Sequence, residues 1–162
     1  MPVPDRPEVE GTVARIARGR RRSDRRRPRL LVVDDEPAVG RTIAHAAEEC
    51  GYAATLAISS AAFRDLYLDD PPEVVLLDLS LPGADGIELL RFLGGEGARS
   101  TIFIVSGFDR RVVESAMRLG LALGLRMGGC LTKPLMVKEL AEALGREPGA
   151  DRDSRHALCL GS

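Results

Sequence analysis

The chain has 162 residues, of which 44% are hydrophobic and 29% charged, and it contains no tryptophan. This length and composition are typical of one globular domain with an aliphatic core and exclude two large domains. No apolar run approaches the roughly 20 residues that a membrane span needs, and no secretory signal pattern opens the chain, so we expect a cytoplasmic protein.

The net charge of −1 hides an uneven distribution of charge. Residues 1–29 carry ten arginines against four acidic residues, whereas the remainder carries 13 basic and 20 acidic residues. Prolines and few large apolar residues predict a basic, disordered N-terminal tail over residues 1–28. We expect a solvated or partner-binding tail, with contact to nucleic-acid phosphates or an acidic membrane surface as the alternative.

The folded region begins with a short apolar run. Residues 30–33 (LLVV) predict a strand buried on both faces. Pro37 suits the first turn of a helix, an apolar stripe continues that helix to Cys50, and Gly51 ends it. Residues 53–58 predict a second strand, and Ser59 or Ser60 caps a second helix that runs to about Leu68.

A third buried strand covers residues 74–77 and ends in Asp78. The loop 79–84 leads to Asp85, which begins a third helix that glycines close from Gly94 onward. Residues 101–105 predict a fourth strand, and a fourth helix runs from Arg110 to about residue 123. A short fifth strand over 128–131 precedes a last helix over 137–144.

Five alternations of strand and helix predict an α/β fold, a doubly wound parallel sheet with helices on both faces. Right-handed crossovers place the carboxyl ends of all strands along one edge, where such sheets bind ligands. Beyond residue 145 the chain is short and polar, so we expect a flexible C-terminal tail over 146–162 and no effector domain.

Several polar residues lie at the ends of the predicted strands, and packing of a hydrophobic core does not explain them. Asp34 and Asp35 follow the first strand, Asp78 ends the third, Ser106 the fourth and Lys133 the fifth. Crowded carboxylates repel one another unless a cation neutralises them, and oxygen ligands of this kind suit Mg²⁺. An aspartate can accept a phosphoryl group, with a hydroxyl and an amine available to stabilise the transferring oxygens.

Four segments carry a family resemblance: residues 31–36 (LVVDDE), 76–86 (LLDLSLPGADG), 105–107 (VSG) and 131–134 (LTKP). Together, in this order and each after a strand, they resemble the receiver domains of bacterial response regulators in two-component systems. The resemblance covers about residues 29–145. It implies a flavodoxin-like fold with strand order 2-1-3-4-5.

The resemblance also implies roles for the strand-end residues. Asp78 would be the phosphoacceptor, and Ser106 and Lys133 would contact the phosphoryl group. Mg²⁺ would be bound directly by Asp35 and Asp78 and by the backbone carbonyl of Ser80, and largely through water by Asp34. Pro134 would follow Lys133 through a cis peptide bond.

Partners follow from the same resemblance. A sensor histidine kinase or histidine phosphotransfer protein would phosphorylate the chain, which would act as a switch rather than as a turnover enzyme. The phosphorylated surface, formed by the fourth helix, fifth strand and fifth helix, would bind a downstream protein. A homodimer is left open, and no DNA-binding domain is expected.

Two features depart from the family pattern. Receivers usually carry Tyr or Phe three residues before the lysine, where this chain has Cys130. The stretch 109–129 is longer than usual, and residues 111–125 within it resemble receivers found beside cyclic di-GMP phosphodiesterase (EAL) domains. The three cysteines form no CxxC pair or metal-ligand cluster, and we expect them to be buried or free thiols.

Two other classes of protein remain open at this point. The first is an aspartate-nucleophile phosphatase of similar sheet topology, although such enzymes usually carry a second aspartate two residues after the nucleophile, where this chain has Ser80. The second is a scaffold that uses the fold only to bind partners. Partner binding by such a scaffold would be unaffected by replacing Asp78.

Overall fold

A computed structural model of the chain describes residues 27–83, 85–107 and 109–145. This part contains five strands and five helices that alternate along the sequence. The strands are β1 (Arg29–Val33), β2 (Ala53–Ala57), β3 (Val74–Asp78), β4 (Thr101–Ser106) and β5 (Arg126–Thr132). The helices are α1 (Pro37–Glu49), α2 (Ser60–Asp69), α3 (Asp85–Gly95), α4 (Arg110–Ala122) and α5 (Val137–Leu144).

The strands form one parallel sheet in the order β2-β1-β3-β4-β5. This confirms the predicted doubly wound sheet and its strand order. The chain reverses its direction across the sheet between β1 and β3, because β2 lies on one side of β1 and all later strands lie on the other. Ligands of such sheets bind outside the carboxyl ends of the strands at this point.

Apolar side chains cover both faces of the sheet. On one face α1 and α5 pack through residues such as Ile43 and Leu140, and on the other α2, α3 and α4 pack through residues such as Phe63, Leu90 and Ala116. The continuous apolar runs of the central strands are explained by this burial on both sides, which requires no polar alternation.

Local sequence explains where the helices begin. Pro37 occupies the first turn of α1, as predicted. The hydroxyl of Ser59 accepts a hydrogen bond from the Ala62 backbone N–H and caps α2. Asp109 caps α4 by accepting hydrogen bonds from the N–H groups of Arg111 and Val112, and it adopts a left-handed backbone conformation with φ 56°.

Among the element boundaries that differ from the sequence prediction, two show the effect of tertiary contacts. Strand β5 begins at Arg126 rather than 128, because its first residues pair with β4 although the segment RMGG lacks a β-branched pattern. A bulge at Gly128 interrupts the register between Ile102 and Phe103. Helix α3 continues through Gly94 and Gly95, because tertiary packing overrides the low helix propensity of glycine.

The predicted tails lie mostly beyond this part of the chain. Residues 1–26 and 146–162, which include nearly all of the N-terminal tail and the whole C-terminal tail, fall outside the described residues. Within the described part, Cys50 is a half-buried free thiol, whereas Cys130 is disulfide-bonded. The expectation of a buried or free thiol is therefore wrong for Cys130.

The helices of the described part are also informative about membranes. None of them is both long and apolar enough to cross a bilayer.

A surface ion pair at the amino end of the sheet makes stability depend on pH. Burial alone would raise the pKa of Glu73, but hydrogen bonds from the side chain and backbone of Arg29 outweigh it and hold that pKa below 4.5. The pair is half-exposed, so we expect it to contribute less than about 1 kcal/mol. A lowered carboxylate pKa stabilises the fold above pH 4.5, and this stabilisation is lost as the pH falls through the folded-state pKa.

We therefore expect Glu73→Gln to lower the free energy of unfolding at pH 7 but to lose this deficit toward pH 3. Chemical denaturation at both pH values measures the difference. An equal deficit at the two pH values would contradict the assignment.

Candidate functional site

Two aspartates stand at the carboxyl ends of neighbouring central strands, Asp34 directly after β1 and Asp78 as the last residue of β3. Each makes the same type of local turn. The Oδ1 atom of Asp34 accepts a hydrogen bond from the Glu36 N–H at 2.9 Å, and Oδ1 of Asp78 accepts one from the Ser80 N–H at 2.8 Å. Each carboxylate thus accepts a hydrogen bond from the backbone N–H two residues later, a local turn that aspartate forms readily. The two turns hold both carboxylates at the carboxyl edge of the sheet.

These carboxylates form a cluster with Asp35. Oxygen atoms of Asp34, Asp35 and Asp78 all lie within 4.8 Å of one another. Asp34 and Asp78 are almost fully buried, with 1% and 2% of their surface exposed, whereas Asp35 is exposed. The structure therefore brings together the three acidic residues that the sequence predicted to meet.

Lys133 neutralises part of this charge. Its Nζ atom lies 3.0 Å from Oδ2 of Asp78, to which it donates a hydrogen bond, and 3.1 Å from Oδ2 of Asp34. The peptide bond between Lys133 and Pro134 is cis, as predicted. The sequence predicts a contact of Lys133 with the transferred group but not this bridge between two aspartates, because residue order alone does not specify where a flexible lysine side chain ends.

The surroundings of Asp34 and Lys133 raise the pKa of both side chains. Burial raises the pKa of Asp34, and the nearby charge of Asp78 acts in the same direction, against the opposing effects of the Glu36 N–H and Lys133. Burial lowers the pKa of Lys133, but its hydrogen bond to Asp78 and its close contacts with the charges of Asp78 and Asp34 outweigh burial and raise it. The lysine is therefore held in its charged form between the two aspartates.

The net negative charge that remains in this cluster is suited to binding a divalent cation. Three carboxylates face one ammonium group. Although Nζ of Lys133 is close to Oδ2 of Asp34, this buried oxygen receives no well-oriented hydrogen bond in the described part of the chain. Oxygen ligands and an uncompensated negative charge are what Mg²⁺ prefers, because it is a hard cation that keeps several waters. The donor set thus suits Mg²⁺ better than a softer metal.

The two serines lie at the same edge but are placed less directly. Ser80 is exposed and contributes its N–H to Asp78. Ser106 is the half-buried last residue of β4, and its carbonyl accepts a hydrogen bond from the Lys133 N–H at 3.0 Å. Strand pairing of Asp78 with Val105 sets Ser106 one position beyond the acidic residue on the adjacent strand.

Cys130 occupies the position where the resemblance leads one to expect an aromatic side chain. It pairs with Ile104 of β4, is partly buried, and packs against the apolar cluster beneath α2, α3 and α4. The predicted departure from the family pattern therefore packs on the side of the sheet covered by α2, α3 and α4, in the strand that Lys133 directly follows.

Comparisons with known proteins agree with this geometry. A model of the response regulator receiver domain matches residues 30–145. The Transcriptional regulatory protein FixJ of Azorhizobium caulinodans is 32% identical over 131 residues, which cover 76% of this chain and 59% of that protein. The Transcriptional regulatory protein BaeR of Escherichia coli is 38% identical over 101 residues, which cover 62% of this chain and 40% of that protein. The chain thus spans about half the length of these curated relatives.

Solved structures show the same fold. A response regulator from Colwellia psychrerythraea superimposes with a TM-score of 0.65 and 29% identity, covering 72% of this chain and 93% of that one. A response regulator receiver protein from Burkholderia phymatum has a TM-score of 0.57 and 30% identity, covering 75% and 98%. The resemblance to receivers beside EAL domains stays a prediction. The match over residues 30–145 shows that this chain belongs to the response regulator receiver domain family.

Proposed function

We propose that this chain is a phosphoryl-accepting switch of two-component signal transduction, in which Asp78 receives the phosphoryl group. The donor is a sensor histidine kinase or a histidine phosphotransfer protein, and Mg²⁺ is the cofactor. The observation that carries the proposal is the buried carboxylate of Asp78 at the end of β3, with Lys133 at 3.0 Å and the carboxylates of Asp34 and Asp35 beside it.

The transfer is a single displacement at phosphorus. A carboxylate oxygen of Asp78 forms the new P–O bond of an acyl phosphate while the P–N bond of the donor phosphohistidine breaks, and the histidine leaves with the electron pair of that bond. Negative charge is spread over the phosphoryl oxygens in the transition state. Lys133 is the proposed first contact that stabilises this charge, and the Ser106 hydroxyl at the adjacent strand end is the proposed second.

Asp35, Asp78 and the Ser80 carbonyl would hold Mg²⁺ directly and Asp34 would hold it through water, and the ion would supply charge neutralisation for the phosphoryl oxygens. The chain's own residues prepare this site in advance. The Asp34 and Asp78 turns fix two carboxylates before any ligand arrives, so little reorganisation accompanies binding.

The output is proposed to be binding of a downstream protein at the surface formed by α4, β5 and α5. Four of the five large hydrophobic side chains that are most exposed in the described part lie on α4 or at the start of α5: Val112, Leu121, Met136 and Val137. Exposed apolar side chains on elements that form this surface support its role in binding a protein.

Incubation with acetyl phosphate and Mg²⁺, followed by intact mass measurement, tests the proposal. We expect an adduct of one phosphoryl group per chain that forms with Mg²⁺ and not with excess EDTA. Absence of the adduct under conditions in which a known receiver is phosphorylated would contradict phosphoryl acceptance. Sustained release of phosphate from a generic phosphate ester would instead indicate a phosphatase.

A further inference from the structure

Gly86 lies in the first turn of α3, directly behind the backbone that carries Asp78. A Cβ atom at this position would lie 3.2 Å from Cα of Leu79, 3.3 Å from the carbonyl oxygen of Asp78 and 3.3 Å from Cδ2 of Leu79. These distances are shorter than ordinary van der Waals separations. The glycine is buried, and it is absent from the set of residues with positive φ, so space rather than backbone conformation explains it.

The neighbouring backbone has little freedom to yield. The N–H of Leu79 donates a hydrogen bond to the Val105 carbonyl at 3.1 Å, and Asp78 is paired with Val105 in the sheet. The Asp78 carboxylate is held on the other side by the Ser80 N–H and Lys133. A methyl group at Gly86 would therefore press on a segment that is already fixed by hydrogen bonds from both directions.

We propose that Gly86 is a positioning residue for phosphoryl transfer. Because Gly86 has no side chain, the first turn of α3 packs directly against the Asp78–Leu79 peptide and fixes the position of the acceptor carboxylate. This inference rests on the proposed function of Asp78. In-line transfer requires the attacking oxygen at a defined distance and angle, and misplacement on the order of 1 Å costs about 100-fold in rate. A displacement of a few tenths of an ångström is thus enough to be measured.

Gly86→Ala is the direct test. The rate of adduct formation from acetyl phosphate is measured across a series of Mg²⁺ concentrations and divided by the folded fraction from chemical denaturation. We expect the plateau rate at saturating Mg²⁺ to fall about tenfold. A residue that served only stability would change the folded fraction and leave the plateau rate per folded molecule unaltered.

Gly94→Ala is the matched control, because it makes the same substitution in the same helix. A Cβ atom there would lie 3.0 Å from Cβ of Leu123 and 3.3 Å from its methyl groups, so the new contact is with a side chain at the α3–α4 boundary. Both variants strain the packing of α3, but only Gly86→Ala acts on the backbone of Asp78. We expect the plateau rate of Gly94→Ala to equal that of the wild type.

A second variant keeps the inference testable if Gly86→Ala does not fold. Combining it with Leu79→Ala removes the single side-chain contact and leaves the two backbone contacts. We expect the double variant to be about tenfold slower than Leu79→Ala alone. Equal plateau rates for those two proteins, or for Gly86→Ala and the wild type, would overturn the positioning role, whereas a wild type that takes no phosphoryl group would overturn the proposed function itself.

Discussion

Asp78→Asn is expected to abolish the phosphoryl adduct that wild-type protein forms with acetyl phosphate and Mg²⁺. An amide oxygen is a far weaker nucleophile than a carboxylate and cannot form a stable acyl phosphate. Asparagine has nearly the same shape, and its amide oxygen can still accept the hydrogen bond from the Ser80 N–H, whereas the bond from Lys133 to the second oxygen of Asp78 is lost. The variant should therefore keep its fold and lose the ability to accept a phosphoryl group.

The matched control is Asp65→Asn, which changes an exposed aspartate on α2 that is not in the acidic cluster. We expect this variant to be phosphorylated at the wild-type rate. Intact mass measurement over time compares the three proteins, and denaturation verifies that each is folded. A phosphoryl adduct that persists in Asp78→Asn would place the acceptor elsewhere and contradict the assignment.

Lys133→Met is expected to destabilise the metal-free protein by about 3 kcal/mol at neutral pH, since removing one partner of a buried ion pair leaves uncompensated charge. Here the loss is shared by two carboxylates, because Lys133 lies between Asp34 and Asp78, and both are almost fully buried. Methionine keeps the apolar stem of the lysine and removes only its charge, so little of the effect comes from lost packing.

Mg²⁺ should reverse much of this destabilisation. Without the repulsion of the lysine ammonium, a divalent cation binds the folded variant more tightly, and binding to the folded state raises the free energy of unfolding. We therefore expect Mg²⁺ to stabilise Lys133→Met more than wild type, while the rate of phosphoryl transfer falls about 100-fold.

Urea denaturation in EDTA and in Mg²⁺ measures both effects. Lys138→Met is the control, because Lys138 is an exposed lysine of α5 outside the ion pairs of the site. Equal stability of Lys133→Met and wild type in EDTA would show that the two aspartates do not depend on the lysine. An equal stabilising effect of Mg²⁺ on both proteins would show that lysine and metal do not compete for the same carboxylates.

Sequence alone predicted the sheet and the meeting of the acidic residues. Buried parallel strands leave continuous apolar runs such as residues 30–33 and 74–77, and their carboxyl ends share one edge, so the positions of Asp34 and Asp78 followed from topology. The roles of the Ser80 carbonyl and the Ser106 hydroxyl stay predictions, since no pattern of apolar residues encodes what these oxygen atoms contact.

Other features depended on tertiary contacts that local sequence does not encode. The start of β5 at Arg126 is set by pairing with β4 rather than by β propensity. The bridge of Lys133 to two aspartates depends on where a long side chain ends. The tight approach of Gly86 to the Asp78 backbone is visible in the sequence only as a glycine in a helix, where a better helix former would be expected.

The bulge at Gly128 has a further consequence for how the protein behaves at high concentration. Strand β5 lies at the end of the sheet, so one row of its backbone N–H and C=O groups is not covered by another strand of the sheet. A regular strand in that place is a template for pairing with a neighbouring molecule, which leads to aggregation. The interrupted register at Gly128, a position with no space for a side chain beside Phe103, makes this outer strand irregular and therefore a poorer template for such pairing.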